Sequence, residues 1–395
     1  MDGRVYLDHA ATTPMLPAAR QAWVEASENV GNPSSLHASG RRARRVVEEA
    51  RESIAVDLRV RPSAIVFTAG GTEADNLAVK GLFWAAPGGA DRVLASSVEH
   101  HAVLDPVEWL AQAQGADVRW LPVDAQGRVV LEALPRELVD AERVALCTVM
   151  WANNEVGTVQ PVYAIAERCR AAGVPFHTDA VQALGHLPLD LGSLGADAVT
   201  ICSHKIGGPF GVGALVVDPQ RTLVPVLHGG GQEREIRSGT LDAPAIAGFA
   251  AAVHHAVAGQ EERAARLAVL RERLVRGIRE AVPDAVLNGD PGASADERLP
   301  GNVHLSFPGC EGDMLLMLLD AAGIDCSTGS ACTAGIPEPS HVLLAMGSTT
   351  AQARSSLRFS LGESTTEADV DAVIAALPGA VERARRAGSL TPRVS

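Results

Sequence analysis

The sequence predicts an α/β fold built on a mainly parallel β-sheet. Between about residue 60 and residue 220, short apolar stretches typical of strands alternate with helical stretches, as in repeated strand–helix–strand units. Small and polar residues follow these strands, at the place where ligands bind in such sheets. Hydrophobic residues make up 47% and charged residues 21% of the chain, as in ordinary globular proteins.

Five strands of this sheet are visible in the sequence. Each is a short run rich in apolar residues, and each ends in a turn that contains polar residues or glycine. Because parallel strands share one carboxyl edge, these turns should lie close together. The predicted strands are Ile65–Phe67, Val93–Ala95, Val144–Val149, Val174–His177 and Ala198–Cys202.

The C-terminal part of the chain predicts a second, smaller α+β domain. Residues 242–281 are rich in Ala, Val, Leu and Arg, which predicts one or two helices leading into it. With 395 residues, the chain is long enough for two domains with separate cores. We predict one domain at residues 16–249 and another formed by residues 1–15 and 250–395. The second domain should contain strands Asn302–Phe307 and Ser356–Ser360 and helices Met314–Ala322 and Glu367–Arg385.

Composition argues against two classes of partner. The formal net charge of −13 disfavours direct nucleic-acid binding, which requires a basic face. No apolar run approaches the about 20 residues that span a bilayer, and no signal-peptide pattern opens the chain. We therefore expect a cytoplasmic protein that has no membrane partner and keeps its cysteines reduced.

Gly70, Gly71 and Thr72 follow a predicted strand and open a helix. Free N–H groups at a helix start, together with glycines that allow close approach, favour binding of a phosphate group. The pattern is neither the dinucleotide fingerprint nor a Walker loop. An ordinary helix start remains the alternative.

Asp179 and Gln182 follow another predicted strand. A carboxylate at this position can keep a heteroaromatic nitrogen protonated and electron-withdrawing. The alternative is that Asp179 caps the N-terminus of a helix, a common role of aspartate.

Lys205 follows the last strand of this series, within the run Ser203–Pro209. Burial of a lysine lowers its pKa, so that more of the amine is neutral and able to form a Schiff base near pH 7. Taken alone, the motif favours the alternative, a surface lysine at the start of a glycine turn.

Together, the phosphate-binding turn, the strand-end aspartate and the strand-end lysine meet the needs of pyridoxal 5'-phosphate. The whole chain resembles the cysteine desulfurases of the NifS/IscS type, within the class V aminotransferase family of fold-type I pyridoxal phosphate enzymes. The resemblance implies a large domain with a mainly parallel seven-stranded sheet and a smaller α+β domain. The motifs that carry it are Tyr6–Pro14, Thr72–Asn76, Glu99–His100, Asn153–Gly157, Asp179–Gln182, Ser203–Lys205, Arg237–Thr240 and Arg358–Gly362.

The resemblance implies a role for each residue around the cofactor ring. Lys205 would bind the cofactor covalently and later move protons, and Asp179 would pair with the pyridine nitrogen. Gln182 would hydrogen-bond the phenolic oxygen. His100 would stack on the ring and take part in acid–base steps, although it also fits the start of a helix.

The same resemblance implies the remaining contacts. Asn154 would orient the cofactor or substrate, and Arg358 would hold the substrate carboxylate, which suits the fork of a guanidinium group. Cys202 stands where the family often has a phosphate-binding serine, and a thiol is a poorer donor. The cofactor phosphate would be held by Gly71, Thr72, Ser203 and His204, with Thr240 supplied by the second subunit of a homodimer.

Cys332 selects the reaction among those that pyridoxal phosphate supports. It lies among small residues in a stretch that resembles the long loop of the IscS-like group, and an exposed thiol is nucleophilic. In the family this cysteine takes sulfur from L-cysteine as a persulfide and alanine is released. The sulfur then passes to an acceptor or iron–sulfur scaffold protein, or serves thio-cofactor synthesis and tRNA thiolation.

Three alternatives to this function remain open. A selenocysteine lyase or another class V aminotransferase would share the cofactor site, and a scaffold without catalytic activity would bind sulfur-carrier partners only. Cys326 either resolves the persulfide of Cys332, forms a regulatory disulfide or packs at a strand end. A zinc site that uses both cysteines is disfavoured because no matching ligand pair lies nearby in the sequence, and we expect no metal.

Overall fold

The computed structural model describes residues 3–292, 294–329 and 338–390 of the chain. Its strands and helices alternate over most of that length. The strands are β1 (Val5–Tyr6), β2 (Ile65–Thr68), β3 (Arg92–Ser96), β4 (Asp117–Leu121), β5 (Val144–Thr148), β6 (Phe176–Asp179), β7 (Ala198–Cys202), β8 (Gly213–Val217), β9 (Val286–Leu287), β10 (Asn302–Ser306), β11 (Ile324–Asp325) and β12 (Ser356–Ser360). The helices are α1 (Pro17–Ser27), α2 (Ala38–Asp57), α3 (Gly71–Ala85), α4 (His101–Gln114), α5 (Leu134–Glu137), α6 (Val162–Ala172), α7 (Leu191–Leu194), α8 (Ala243–Ala258), α9 (Gln260–Ala281), α10 (Gly312–Ala321), α11 (His341–Ala345), α12 (Thr350–Arg354) and α13 (Glu367–Leu390).

The large sheet has seven strands in the order β2-β8-β7-β6-β5-β3-β4. β8 runs antiparallel to both of its neighbours, and the other pairs are parallel. β2 therefore runs in the same direction as β7, which places its carboxyl end at the same edge. This arrangement confirms the predicted fold class, an α/β protein with a mainly parallel seven-stranded sheet.

β6 begins two residues later than the sequence predicts, at Phe176 instead of Val174. The N–H of Val174 donates to the carbonyl of Cys169 and so closes the end of α6, where Gly173 has a φ of +73°. Pro175 has no N–H to give to the sheet. The strand is therefore only four residues long, and it ends at Asp179, at the carboxyl edge of the sheet.

A smaller antiparallel sheet, in the order β12-β10-β9, lies in the C-terminal part of the chain. It packs with α9, α10 and α13 around a second cluster of buried apolar side chains, to which Leu7 from the N-terminus also belongs. Residues 242–281, predicted as one or two helices, form two, α8 and α9, which meet at Gly259. Because α8 packs against α1 and α2, a boundary at residue 249 falls inside a helix of the first unit, and the two domain ranges stay a prediction.

No helix in the described ranges is both long and apolar enough to cross a membrane.

Candidate active site

A cavity of about 360 Å³ lies at the carboxyl edge of the large sheet. The strands β2, β3, β5, β6 and β7 all end or continue into its wall, as the sequence predicts for a parallel sheet. It therefore brings together side chains that are far apart in the sequence. Among those that line it are Lys205, Asp179, Gln182, His100, Asn154 and Arg358.

Lys205 lies in a single 3-10 turn, His204–Ile206, directly after β7. Its Nζ donates to the carbonyl oxygens of Ala10 and Ala11, each at 2.7 Å. Burial lowers the pKa of the lysine to about 8, against a weaker opposite effect of the nearby Cys202 and Asp179. The amine is thus held inside the cavity and is more easily deprotonated than a surface lysine, as the sequence predicts.

Asp179 is buried at the end of β6, with 5% of its surface exposed. Its Oδ1 accepts a hydrogen bond of 2.8 Å from the N–H of Val181. No helix of the described chain begins here, so this bond fixes a turn and does not cap a helix. Burial raises the pKa of Asp179 to about 6, and the positive charge of Lys205 opposes that rise. A cationic partner in the cavity would keep the carboxylate ionised.

Gln182 and His100 are fixed by contacts with the backbone. The Nε2 of Gln182 donates to the carbonyl oxygen of Ala10 at 3.0 Å. His100 caps the N-terminus of α4, where its Nδ1 accepts from the N–H of Ala102 at 3.1 Å. Burial, followed by the charge of Lys205, lowers the pKa of His100 to about 4. The imidazole is therefore neutral near pH 7, with its proton on Nε2. His100 thus both caps α4 and lines the cavity.

The predicted phosphate-binding turn lies at the start of α3, which begins at Gly71 after β2. Gly71, Thr72 and His204 line the cavity, and so does Cys202. A Cβ atom on Gly71 would lie 3.1 Å from Cγ2 of Val181, so a side chain at this position would require Val181 to shift. The free N–H groups of the first helical turn therefore face a space that admits an anion.

Ser203 differs from the other predicted phosphate contacts because it is not part of the cavity wall. Its side chain is fully buried, and its Oγ has no hydrogen-bond partner among the described residues. A Cβ atom on Gly208 would lie 2.1 Å from that Oγ, so the hydroxyl points toward the turn that follows. The thiol of Cys202 takes the place on the wall, and burial raises its pKa, which keeps it neutral.

Arg358 reaches the cavity from β12 of the small sheet. Its Nη1 donates to the carbonyl oxygen of Asn154 at 3.0 Å, and its Nη2 donates to Oδ1 of Asp8 at 2.7 Å. Only 4% of the residue is exposed, and its Nε has no hydrogen-bond partner within the described chain. The guanidinium group is thus held in place with donor capacity remaining for a carboxylate.

Thr240 is, after Ser203, the second predicted residue that the structure does not bring to this cavity. Thr240 is exposed on the segment after β8 and does not line the cavity of its own chain. The preceding Arg237 is anchored to Glu73 of α3, with 2.7 Å between Nε and Oε1. Cys332 lies outside the described residues, whereas Gly329 before it and His341 after it both line the cavity.

The residues of this cavity fit the pyridoxal 5'-phosphate that the resemblance implies. The turn at Gly71 offers backbone donors to a phosphate, and Asp179 offers a buried carboxylate to a pyridinium nitrogen. Lys205 offers an amine of lowered pKa. Arg358 adds a guanidinium group to the cavity wall, and such a group suits an anionic part of a substrate.

Sequence analysis missed Asp75, which also lines the cavity and is almost completely buried. Its Oδ1 lies 3.5 Å from Nε2 of His177, on the same strand as Asp179. Burial and the charge of Asp179 raise the pKa of Asp75 well above its usual value. Its spacing of four residues from Gly71 was the available signal, because residues four apart share one face of a helix.

Glu155 and His341 were also missed as residues of the wall. His341 donates through Nε2 to the carbonyl oxygen of Glu99 at 2.9 Å, and it lies at the start of α11, far away in the sequence. No periodicity in the sequence brings α11 to this edge, so only the tertiary structure could identify it.

Comparisons with known proteins agree with this site. Residues 5–373 match the family described as Aminotransferase class-V. The chain is 57% identical over 385 residues to the "IscS-like cysteine desulfurase" of Mycobacterium tuberculosis, covering 97% of each chain. It is 42% identical to the "Cysteine desulfurase IscS" of Methanosarcina thermophila, covering 98% of this chain and 95% of the relative. A solved structure titled "NIFS-LIKE PROTEIN" superposes with a TM-score of 0.86 at 34% identity, covering 98% of this chain and 100% of the other.

The match to the family extends over more than nine-tenths of the chain, and the relatives are covered almost from end to end. The fold, the cavity at the carboxyl edge and the position of Lys205 after β7 agree with the resemblance that the sequence motifs indicate. The chain belongs to the class-V aminotransferase family, among its IscS-like cysteine desulfurases.

Proposed function

We propose that this protein is a pyridoxal 5'-phosphate-dependent cysteine desulfurase that converts L-cysteine to L-alanine and carries the sulfur as a persulfide on Cys332. The observation that carries the proposal is the single cavity that holds Lys205, Asp179 and Arg358 and is also lined by Gly329. Cys332 follows Gly329 by three residues, a separation that a chain spans in at most about 11 Å. The names of the relatives support the same reaction.

The residues of the cavity divide the work of this reaction. Arg358 binds and orients the substrate carboxylate, while Asn154, whose carbonyl oxygen holds the guanidinium group, helps to fix the position of that arginine. Gly71, Thr72 and His204 hold the cofactor phosphate, Asp179 holds its pyridine nitrogen, and Gln182 holds its phenolic oxygen. The cofactor, when bound, supplies the electron sink that makes the α-proton of the substrate acidic.

Two groups of the chain hold and move protons. The amine of Lys205, with a pKa of about 8, can both take and return a proton near neutral pH. The neutral imidazole of His100 carries its proton on Nε2 and can donate that proton. Because Nδ1 is occupied by the N–H of Ala102, Nε2 can accept a proton only after it has donated its own. We assign the proton at the α-carbon to Lys205 and a proton at the substrate sulfur to His100.

Transfer of the sulfur requires no external oxidant. A bond forms between Sγ of Cys332 and the sulfur of L-cysteine, while the bond between that sulfur and the β-carbon breaks. The β-carbon keeps the electron pair of the broken bond and takes up a proton equivalent to the one that the Cys332 thiol gives up, so that the thiol and L-cysteine become a persulfide and L-alanine. The persulfide sulfur then passes to an acceptor, for which we propose an iron–sulfur scaffold protein or another sulfur-carrier protein.

Three finer statements belong to the same proposal. We propose a homodimer in which Thr240 of one subunit reaches the phosphate site of the other, supported by its exposure and by its absence from the wall of the cavity in its own chain. Iron–sulfur cluster assembly is the proposed destination of the sulfur. The cytoplasmic location stays a prediction from the sequence.

Product analysis tests the proposed reaction. The purified protein, loaded with pyridoxal 5'-phosphate, is supplied with L-cysteine and dithiothreitol, and the products are quantified by chromatography and a sulfide assay. We expect equal amounts of alanine and sulfide. A keto acid product that retains the sulfur would instead identify an aminotransferase.

A further inference from the structure

Glu155 is a buried carboxyl group of the cavity wall for which the proposed chemistry has no role. Only 3% of the residue is exposed. Burial raises the pKa of its side chain to about 7, although the hydroxyl of Ser340 and the charge of Arg358 oppose the rise. A buried carboxyl group is costly unless it is hydrogen-bonded, so its partners indicate what it does.

The backbone of Glu155 is fixed from two sides. Asn153 accepts through Oδ1 from the N–H groups of Glu155 and Val156, at 2.9 Å each. Asn302, on β10 of the small sheet, donates through Nδ2 to the carbonyl oxygen of Glu155 at 3.1 Å. The turn that carries Glu155 thus connects the large sheet to the small one and gives its side chain a defined position.

The side chain of Glu155 binds the stretch of chain that follows the Cys332 segment. The Oγ of Ser340 donates to Oε2 of Glu155 at 2.5 Å, and both residues are buried. The same Oγ accepts from the N–H of Leu343 at 3.1 Å, so Ser340 also caps α11. The hydroxyl therefore joins the beginning of α11 to the carboxyl group.

The stretch of chain that precedes the Cys332 segment passes the same carboxyl group. Gly329 has a φ of +85°, and its N–H donates to Oγ of Ser327 at 3.0 Å. A Cβ atom on Gly329 would lie 3.6 Å from Oε2 of Glu155 and 3.0 Å from Nε2 of His304. Gly329 thus passes near the oxygen atom of Glu155 that binds Ser340.

We propose that Glu155 is a positioning residue for the transfer of sulfur to Cys332, because its hydrogen bond holds Ser340, which follows the Cys332 segment, beside Gly329, which precedes it. The inference rests on the proposed function and assigns Glu155 to one step of it. A small misplacement of a reacting group lowers a rate greatly, so loss of the contact between Glu155 and Ser340 should slow the transfer. Binding of cofactor and substrate depends on other residues and does not require this contact.

A double-mutant cycle tests the inference with Glu155→Ala, Ser340→Ala and the combination, all as cofactor-loaded enzyme. One readout is the change in visible absorbance when L-cysteine binds, and the other is the single-turnover rate of persulfide formation on the peptide that contains Cys332, followed by alkylation and mass spectrometry. We expect the absorbance change to keep its amplitude and rate. Persulfide formation should slow by up to about 100-fold in each single variant, and the double variant should be no slower than the slower single variant.

Two further variants separate positioning from general damage to the fold. Glu155→Gln keeps an oxygen that accepts from Ser340, so it should restore most of the rate that Glu155→Ala loses. Thr349→Ala removes the cap of the neighbouring helix α12 without touching Glu155, and it should leave both readouts unchanged.

Two results would overturn the inference. In the first, persulfide formation in Glu155→Ala and Ser340→Ala stays within about twofold of the unmodified enzyme. In the second, the absorbance change is lost together with the rate in Ser340→Ala and Glu155→Gln, which would make Glu155 a general structural residue. If the unmodified enzyme itself forms no persulfide, the proposed function is wrong. The measurement on the unmodified enzyme therefore distinguishes failure of the proposed function from failure of this inference.

Discussion

Lys205 illustrates how far single residues could be identified from the sequence. Its place after an apolar strand predicts a buried amine, and its contacts with Ala10 and Ala11 agree with that prediction. The orientation of Ser203, two residues earlier, was not predictable. It depends on the 3-10 turn His204–Ile206, which directs the serine away from the cavity and Lys205 into it. A motif can thus identify which turn is functional without saying which of its side chains face the ligand.

The lowered pKa of Lys205 leads to a prediction about pH. Below about pH 8 the amine is mainly protonated, and above that value it is mainly neutral. Since only the neutral amine is nucleophilic, its reaction with pyridoxal 5'-phosphate added to the apoprotein should accelerate as pH rises to about 8 and then level off. Stopped-flow absorbance at several pH values measures this. A rate that keeps rising to pH 10 would mean that the lysine has an ordinary pKa.

At the level of secondary structure, the five strands predicted for the large sheet run in one direction, as expected, and the misses are whole strands. β7 and β12 begin and end where the sequence predicts, whereas β4 and β8 were not identified. The antiparallel direction of β8 could have been predicted from the short connection between β7 and β8. Cys202 pairs with Gly213, and so few intervening residues cannot form the crossover that a parallel neighbour requires. The division of residues 242–281 also had a signal, because Gly259 is a residue that often ends a helix.

The start of α3 allows a test of the proposed phosphate site. Gly71→Ala would place a Cβ atom 3.1 Å from Cγ2 of Val181 and 3.6 Å from Cβ of Cys202, so Val181 must shift within the wall of the site. We expect the affinity for pyridoxal 5'-phosphate to fall about tenfold, or about 1.4 kcal/mol, with the thermal stability of the apoprotein nearly unchanged. Gly88→Ala is the matched control, because its added Cβ has no neighbour within 4 Å. Equal affinities for the two variants would place the phosphate elsewhere.

At the scale of the whole molecule, the site is formed by both sheets. The large sheet supplies Lys205 and Asp179, and the small sheet supplies Arg358, which contacts Asp8 near the N-terminus and Asn154 after β5. The sequence identified these residues through motifs, but it could not predict their mutual contacts. The contact of Glu155 with Ser340 joins residues 185 positions apart in the chain. Such pairs depend on tertiary packing and leave no periodic pattern in the sequence.

The proposed dimer predicts a defect that crosses subunits. The native protein should have twice the chain mass of 41.1 kDa by light scattering, and Thr240→Ala should weaken pyridoxal 5'-phosphate binding without changing that mass. Thr240 is exposed in its own chain, and in the proposed dimer it serves the site of the other subunit. A heterodimer of one Thr240→Ala subunit and one Lys205→Ala subunit should therefore have one intact site, in which the Lys205 of the first subunit is combined with the Thr240 of the second. A protein that is monomeric and retains full affinity for the cofactor would contradict the proposed dimer.

The central claim is that Cys332 receives the sulfur of L-cysteine within the site formed around Lys205. The most direct measurement is a single turnover with sulfur-labelled L-cysteine, followed by mass spectrometry of the peptide that contains Cys332 and by quantification of alanine. The account predicts one labelled sulfur on Cys332 for each alanine released. In Cys332→Ser, binding of pyridoxal 5'-phosphate and of L-cysteine should persist, while the labelled persulfide and alanine are lost. Release of alanine at the normal rate by Cys332→Ser, or labelled sulfur on another cysteine, would contradict it.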